Sequence, residues 1–154
     1  MEAMEILRRC REASGEIARL RVRIQQRRDA MTSIGAAPPD DKGGSRARGD
    51  PDRIGRLVAE VDALEKAIEG REQEYAVETA AACVLLDTLP ELDSRVLHAY
   101  YVKRESVTVI ARRLKYQDGY LRKVKSRGEK ALTALPGETV TAALPAWYIK
   151  KHGG

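Results

Sequence analysis

The sequence predicts an all-α protein: a long antiparallel helical hairpin (coiled coil) followed by a small helix-turn-helix domain. Two segments within residues 1–87 repeat apolar side chains every seven positions, and a stretch dense in Gly and Pro separates them. Beyond residue 87 the repeat gives way to short amphipathic segments, and six of the seven aromatic residues lie at position 100 or later. The composition agrees. Of 154 residues, 33% are charged and 5% aromatic, and Phe is absent, which suits one small domain joined to an extended element better than one large core.

Residues 1–34 read as one helix. Ala3, Cys10, Ile17, Ile24 and Met31 form one heptad row, and Ile6, Ala13, Leu20 and Ile34 a second, with Arg27 interrupting it. Ser14-Gly15 is a soft point, because Gly costs roughly 1 kcal/mol relative to Ala inside a helix. Residues 35–50 carry four Gly and two Pro and read as a flexible loop. A second helix spans 51–86, with Asp50 as N-cap and Pro51 at its first position. Its rows are Ile54, Val61, Ile68, Tyr75 and Ala82, and Leu57, Leu64 and Leu85, interrupted by Arg71 and Glu78. A register centred on the loop places Ile34 near Ile54 and Ile24 near Leu64. Two helices alone bury one stripe each, which predicts a homodimer through the N-terminal helices; the alternative is a monomeric hairpin leaning on the C-terminal domain. Cys10 and Cys83 read as small hydrophobes near the seams rather than a disulfide pair.

Residues 88–135 read as the helix-turn-helix domain and 136–154 as a tail. Thr88-Leu-Pro-Glu91 has the form of a capping box, and the helix after it, reaching about Val102, buries Leu92, Val96, Leu97 and Tyr100 or Tyr101. Ser106 caps a short helix, Val107–Leu114. Residues 115–118 turn, Asp118 caps a last basic helix, and Pro136-Gly137 stops it near Leu135. In the tail, Val140, Leu144, Trp147 and Ile149 are candidates to pack back on the domain.

The net charge of +5 is unevenly spread. Residues 1–37 carry +3, 38–50 zero, 51–87 carry −5 and 88–154 carry +7. The opposite charge on the two arms predicts that they pair, and the basic C-terminal part predicts a polyanionic partner.

Val107–Val124 has the residue pattern of two short crossing helices. Ala111 is small enough for the crossing, Ile110 and Leu114 anchor the first helix, Tyr116 fills the turn, and Leu121 and Val124 hold the second helix from beneath. Its other face is then free for the major groove of double-stranded DNA. Lys115 stands where a left-handed residue such as Gly is usual. Near the start of the second helix, Gln117, Tyr120, Arg122 and Lys123 are placed to reach base edges, since Gln pairs well with adenine and Arg with guanine. Lys125, Ser126, Arg127, Arg112 and Arg113 are candidates for phosphate contacts, which set register, and Lys115 is a further DNA-binding candidate. Gly128 lies toward the buried side and permits close packing on the preceding helix.

Residues 86–132 resemble region 4 of bacterial sigma factors in the Leu89-Pro90 opening, Arg95-Val96-Leu97, the Ile110-Ala111 pair and the closing Ala131-Leu132. The order of hairpin, Gly/Pro-rich linker and this domain resembles small phage and prophage transcriptional regulators of the ArpU and RinA type. The resemblance implies promoter DNA as target, RNA polymerase as a second contact, and a cytoplasmic, nucleoid-associated location in a bacterial host. Residues 1–87 hold nothing like the aromatic-rich region with which a full sigma factor melts promoters.

Other classes find less support. No Ser/His/Asp arrangement, paired carboxylates or P-loop stands out, so no enzyme is expected, and neither a cofactor nor a metal. No run of about 18 apolar residues predicts a membrane span, and the charged first twenty residues carry no secretory core. Two alternatives stay open: a small terminase-like DNA-packaging subunit, and a coiled-coil adaptor whose basic face binds an acidic protein.

Overall fold

In a computed structural model, residues 1–36 and 51–153 are described, and among them every regular element is a helix. Helix α1 spans Ala3–Ala36 and α2 spans Pro51–Leu86. Helix α3, Glu91–Leu97, continues into a π-helical turn, His98–Val102. Then follow α4 (Val107–Leu114), α5 (Asp118–Thr133), α6 (Gly137–Ala142) and α7 (Ala146–His152). The expected cap at Asp50, and the loop apart from residues 35 and 36, which continue α1, lie outside the described residues.

The chain divides into two compact units: Met1–Gly15 with Glu72–Gly154, and Glu16–Arg71. In the second unit the later turns of α1 pair with the earlier turns of α2. Ile17, Ile24, Val61 and Ile68 are buried between them, as the heptad rows require. Two of the residues that interrupt the rows, Arg27 and Arg71, are paired across the seam. Arg27 Nε donates to Glu60 at 2.6 Å and Arg71 Nε donates to Glu16 at 3.0 Å, while Arg28 reaches Glu65 at 2.7 Å. These pairs put residue 27 opposite 60 and residue 16 opposite 71, the register expected from a central loop. Ile54 of the α2 row and the neighbouring Val58 are exposed, so the first turns of α2 leave apolar side chains outside the seam.

In the first unit, the opening turns of α1 and the closing turns of α2 share one core with the C-terminal helices. Ile6, Leu7, Cys10, Ala81, Ala82, Leu85 and Leu86 meet Leu97, Tyr101, Leu132, Val140 and Tyr148. The base of the hairpin thus belongs with the domain that follows it. Gly15 is buried because the Arg104 guanidinium lies 3.1 Å from where its Cβ would be. Arg104 has a positive φ of 57°, and Glu105 N–H closes the π-helical turn on Ala99 O at 3.0 Å.

Three local expectations are corrected. Thr88 does not open α3; its hydroxyl donates to Leu85 O at 2.7 Å, closing α2, and Pro90 precedes Glu91 with no side-chain cap. Asp118 is the first residue of α5 rather than its cap; Gln117 holds the cap position without a side-chain bond. Trp147 is exposed, and its neighbour Tyr148, at 0% exposure, takes the buried place in the tail. A seven-residue helix presents one residue per turn to its support, and here the register favours Tyr148. Val140 and Leu144 are buried as expected.

A polar cluster lies at this end of the first unit. Glu74 pairs with Lys151 and sits 3.5 Å from His152, whose Nδ1 is 3.1 Å from Arg9. Glu78 is fully buried nearby, and its charge, after desolvation by burial, pushes up both the Tyr148 phenol and the Cys10 thiol, the latter to about 12.

Candidate nucleic-acid interface

The second core of the first unit holds the helix-turn-helix. Val96 and Ala99 from α3 and its π-helical extension, Ile110 and Ala111 from α4, and Leu121 and Val124 from α5 are buried together. Helix α4 starts as expected: Ser106 Oγ accepts from Val109 N–H at 3.3 Å. It ends at Lys115, which adopts the left-handed conformation (φ 63°, ψ 42°), with Tyr116 N–H bonded to Ala111 O at 2.9 Å. The turn geometry that normally favours Gly is therefore present, carried by a lysine at a cost of about 1–2 kcal/mol. Thr108, in the first turn of α4, donates its hydroxyl to the Asp118 carboxylate at 3.0 Å and so ties the two helix starts together.

Helix α5 buries Leu121, Val124, Gly128 and Leu132 and leaves the opposite face in solvent. Gly128 is required by contact: a Cβ there would lie 2.8 Å from Leu97 Cδ1. The outward face carries Arg122, Lys123 and Ser126, all exposed, with Lys130 one turn further. Gln117 and Tyr120 are exposed at its N-terminal end, and Arg112 and Lys115 at the end of α4. Of these eight exposed residues five are basic, with an amide and an aromatic group at the start of α5.

Three of the predicted contact residues have intramolecular partners. Arg127 donates from Nε and from Nη2 to the two oxygens of Asp93, at 3.0 and 2.6 Å, and Asp93 is 1% exposed. Lys125 is paired with Glu129 at 2.8 Å and lies 4.4 Å from the centre of the Tyr100 ring. Glu129 also accepts from the Tyr101 hydroxyl at 2.8 Å. Arg113 is ion-paired with Glu105. Arg127 and Lys125 thus fasten α5 to α3 and its π-helical turn.

Tyr116 does not fill the turn. It is 44% exposed, and its ring lies against Tyr120, with centroids 5.2 Å apart. The two tyrosines form a ledge beside the N-terminal end of α5. Their four-residue spacing across the turn was the available sign of it. His98 sits in the π-helical turn, where burial and then the charge of Lys103 lower its pKa from 6.5.

Comparison of the chain with protein-family models, with curated proteins and with solved structures finds no match. Among the described residues, no group of three or more His, Cys, Asp or Glu is placed to hold a metal ion, and no helix is long and apolar enough to cross a membrane.

Proposed function

We propose that the chain is a sequence-specific DNA-binding transcriptional regulator of the phage type, non-enzymatic, with a helix-turn-helix like that of sigma region 4. The observation that carries this reading is the face of α5: Arg122, Lys123 and Ser126 point outward, while Leu121, Val124, Gly128 and Leu132 hold the helix from behind after a left-handed turn at Lys115. Such a helix can enter a major groove without disturbing its own core. Arg122, Lys123, Gln117 and Tyr120 read base edges; Arg112, Lys115 and Ser126 contact phosphates. Lys125, Arg127 and Arg113 act chiefly by holding this surface in place. The hairpin pairs with a second copy, and RNA polymerase at the promoter is the further partner that the sigma-like resemblance implies.

The double variant Arg122→Ala/Lys123→Ala should lose most of its affinity for promoter fragments in a shift assay at modest salt, with helicity and melting temperature unchanged. A variant that loses a phosphate contact, such as Arg112→Ala, should instead flatten the dependence of affinity on salt. Equal affinity for wild type and double variant would remove α5 as the reading element.

A further inference from the structure

Away from the outer face of α5, the first unit contains a cavity of about 260 Å³ between the C-terminal end of α2, α3 with its π-helical turn, and the end of α4. Three cations line it, Arg95, Lys103 and Arg113, against one carboxylate, Asp87. Glu105 engages Arg113 and fixes its guanidinium there. Arg95 and Lys103 are exposed and make no ion pair among the described residues. Ser94 and His98 add hydrogen-bonding groups, and the aliphatic side chains of Leu86 and Leu114 give the cavity an apolar wall. Cations gathered around a concave, partly apolar space meet the requirements for an anionic head on a small carbon body. The volume lies below the 300–1,000 Å³ typical of drug-sized ligands, which restricts the occupant to metabolite size.

We propose that this cavity binds a small organic anion, a metabolite bearing a carboxylate or a phosphate, with Arg95 and Lys103 as the pair that holds its charge. Arg113, already oriented by Glu105, supplies a third donor at the edge. The charge pair Arg95 and Lys103 takes no part in the DNA-binding reading; Arg113 is the one lining residue the two share. The cavity does touch that region: Leu114 is the last residue of α4 and precedes Lys115 in the turn.

His98 provides an internal reporter. It lines the same cavity, and burial together with the Lys103 charge lowers its pKa. An anion bound beside it favours the imidazolium and moves that pKa upward.

The test is titration of the full chain with inorganic phosphate and with succinate, at constant ionic strength made up with chloride. Binding is followed by calorimetry and by the NMR titration of His98. Saturable binding of one probe is expected, with an upward shift of the His98 pKa. Which probe binds distinguishes a phosphate from a carboxylate ligand. Arg95→Gln and Lys103→Gln should each weaken binding about tenfold, the scale of one charge-assisted hydrogen bond, while Arg122→Gln on α5 leaves it unchanged. The proposal is overturned if neither probe saturates by about 10 mM, a limit of only a few kcal/mol of binding free energy. It is equally overturned if Arg122→Gln weakens binding as much as Arg95→Gln, or if an oligoglutamate peptide binds where both small probes fail.

Discussion

Arg127 grips the buried carboxylate of Asp93 with two hydrogen bonds, 2.6 and 3.0 Å long, and in doing so fixes α5 to α3. Asp93 is 1% exposed, whereas the Arg127 side chain reaches it from the surface. Removing the arginine leaves a carboxylate without its charge partner in the interior, and such a group strongly disfavours the folded state. Arg127→Ala should therefore lower the melting temperature clearly more than Arg122→Ala does. Arg127→Lys should recover only part of the loss, because a lysine cannot make the two-pronged contact. Thermal unfolding of the three variants checks this order.

Gly128→Ala should destabilise the protein although it raises intrinsic helix propensity. The new Cβ would meet Leu97 Cδ1 at 2.8 Å, in a fully buried part of the core. Overpacking of this kind costs about 1–3 kcal/mol, against a propensity gain of about 1 kcal/mol. Denaturant unfolding should show a lower midpoint, and adding Leu97→Ala should make the Gly128→Ala step less harmful than it is alone.

Lys115→Gly separates stability from binding. The lysine holds a left-handed backbone with φ 63°. Glycine relieves a strain of about 1–2 kcal/mol, partly offset by its greater freedom when unfolded. The variant should unfold at equal or higher denaturant yet bind promoter fragments more weakly, since it has lost a cation at the edge of the basic surface. Equilibrium unfolding and a shift assay on the same preparation give both answers.

The two thiols should differ sharply. Cys10 is fully buried with its pKa pushed up to about 12 by desolvation and by Glu78, whereas Cys83 is half-buried. The thiolate is the reactive form. An alkylating reagent at pH 8 should modify Cys83 while Cys10 stays untouched until the protein unfolds, as peptide mapping would show.

Acid should cost stability through His98. Its folded pKa lies below 6.5, so the unfolded chain takes up the proton first as pH falls. The stabilising contribution is complete above about pH 6.5 and is lost as the pH drops through that value toward the lower folded pKa. Melting temperatures at pH 7.5 and 5.5 should differ more for the wild type than for His98→Gln.

Much of this arrangement could be read from residue order, and the parts that could not have physical reasons. The hairpin register follows from heptads and from a loop near the middle, and Arg27 with Glu60 and Arg71 with Glu16 keep it to within a residue. Ala111, Leu121 and Val124 are where the spacing put them. Caps at Thr88 and Asp118 are not legible because other partners compete for these side chains: the Thr88 hydroxyl donates to Leu85 O, and the Asp118 carboxylate accepts from Thr108 of α4. In Arg127, a basic residue on the flank of a helix looks the same in a sequence whether its partner is a phosphate or a carboxylate 34 positions away; the Lys125–Glu129 pair, by contrast, has the i,i+4 spacing of a local ion pair. Burial of Glu78 and Tyr148 depends on helices that meet only in three dimensions, so no local pattern announces it.

Arg9 and His152 touch at 3.1 Å across a separation of 143 residues, half-buried near a core to which Leu7, Leu85 and Tyr148 all contribute. That contact has a kinetic consequence. Helical turns and the α4–α5 pair form from near neighbours, but the base of the hairpin closes only when residues far apart in the chain have found one another. Loop-closure entropy delays such contacts. Refolding should accordingly develop helical signal early and bury Tyr148 late.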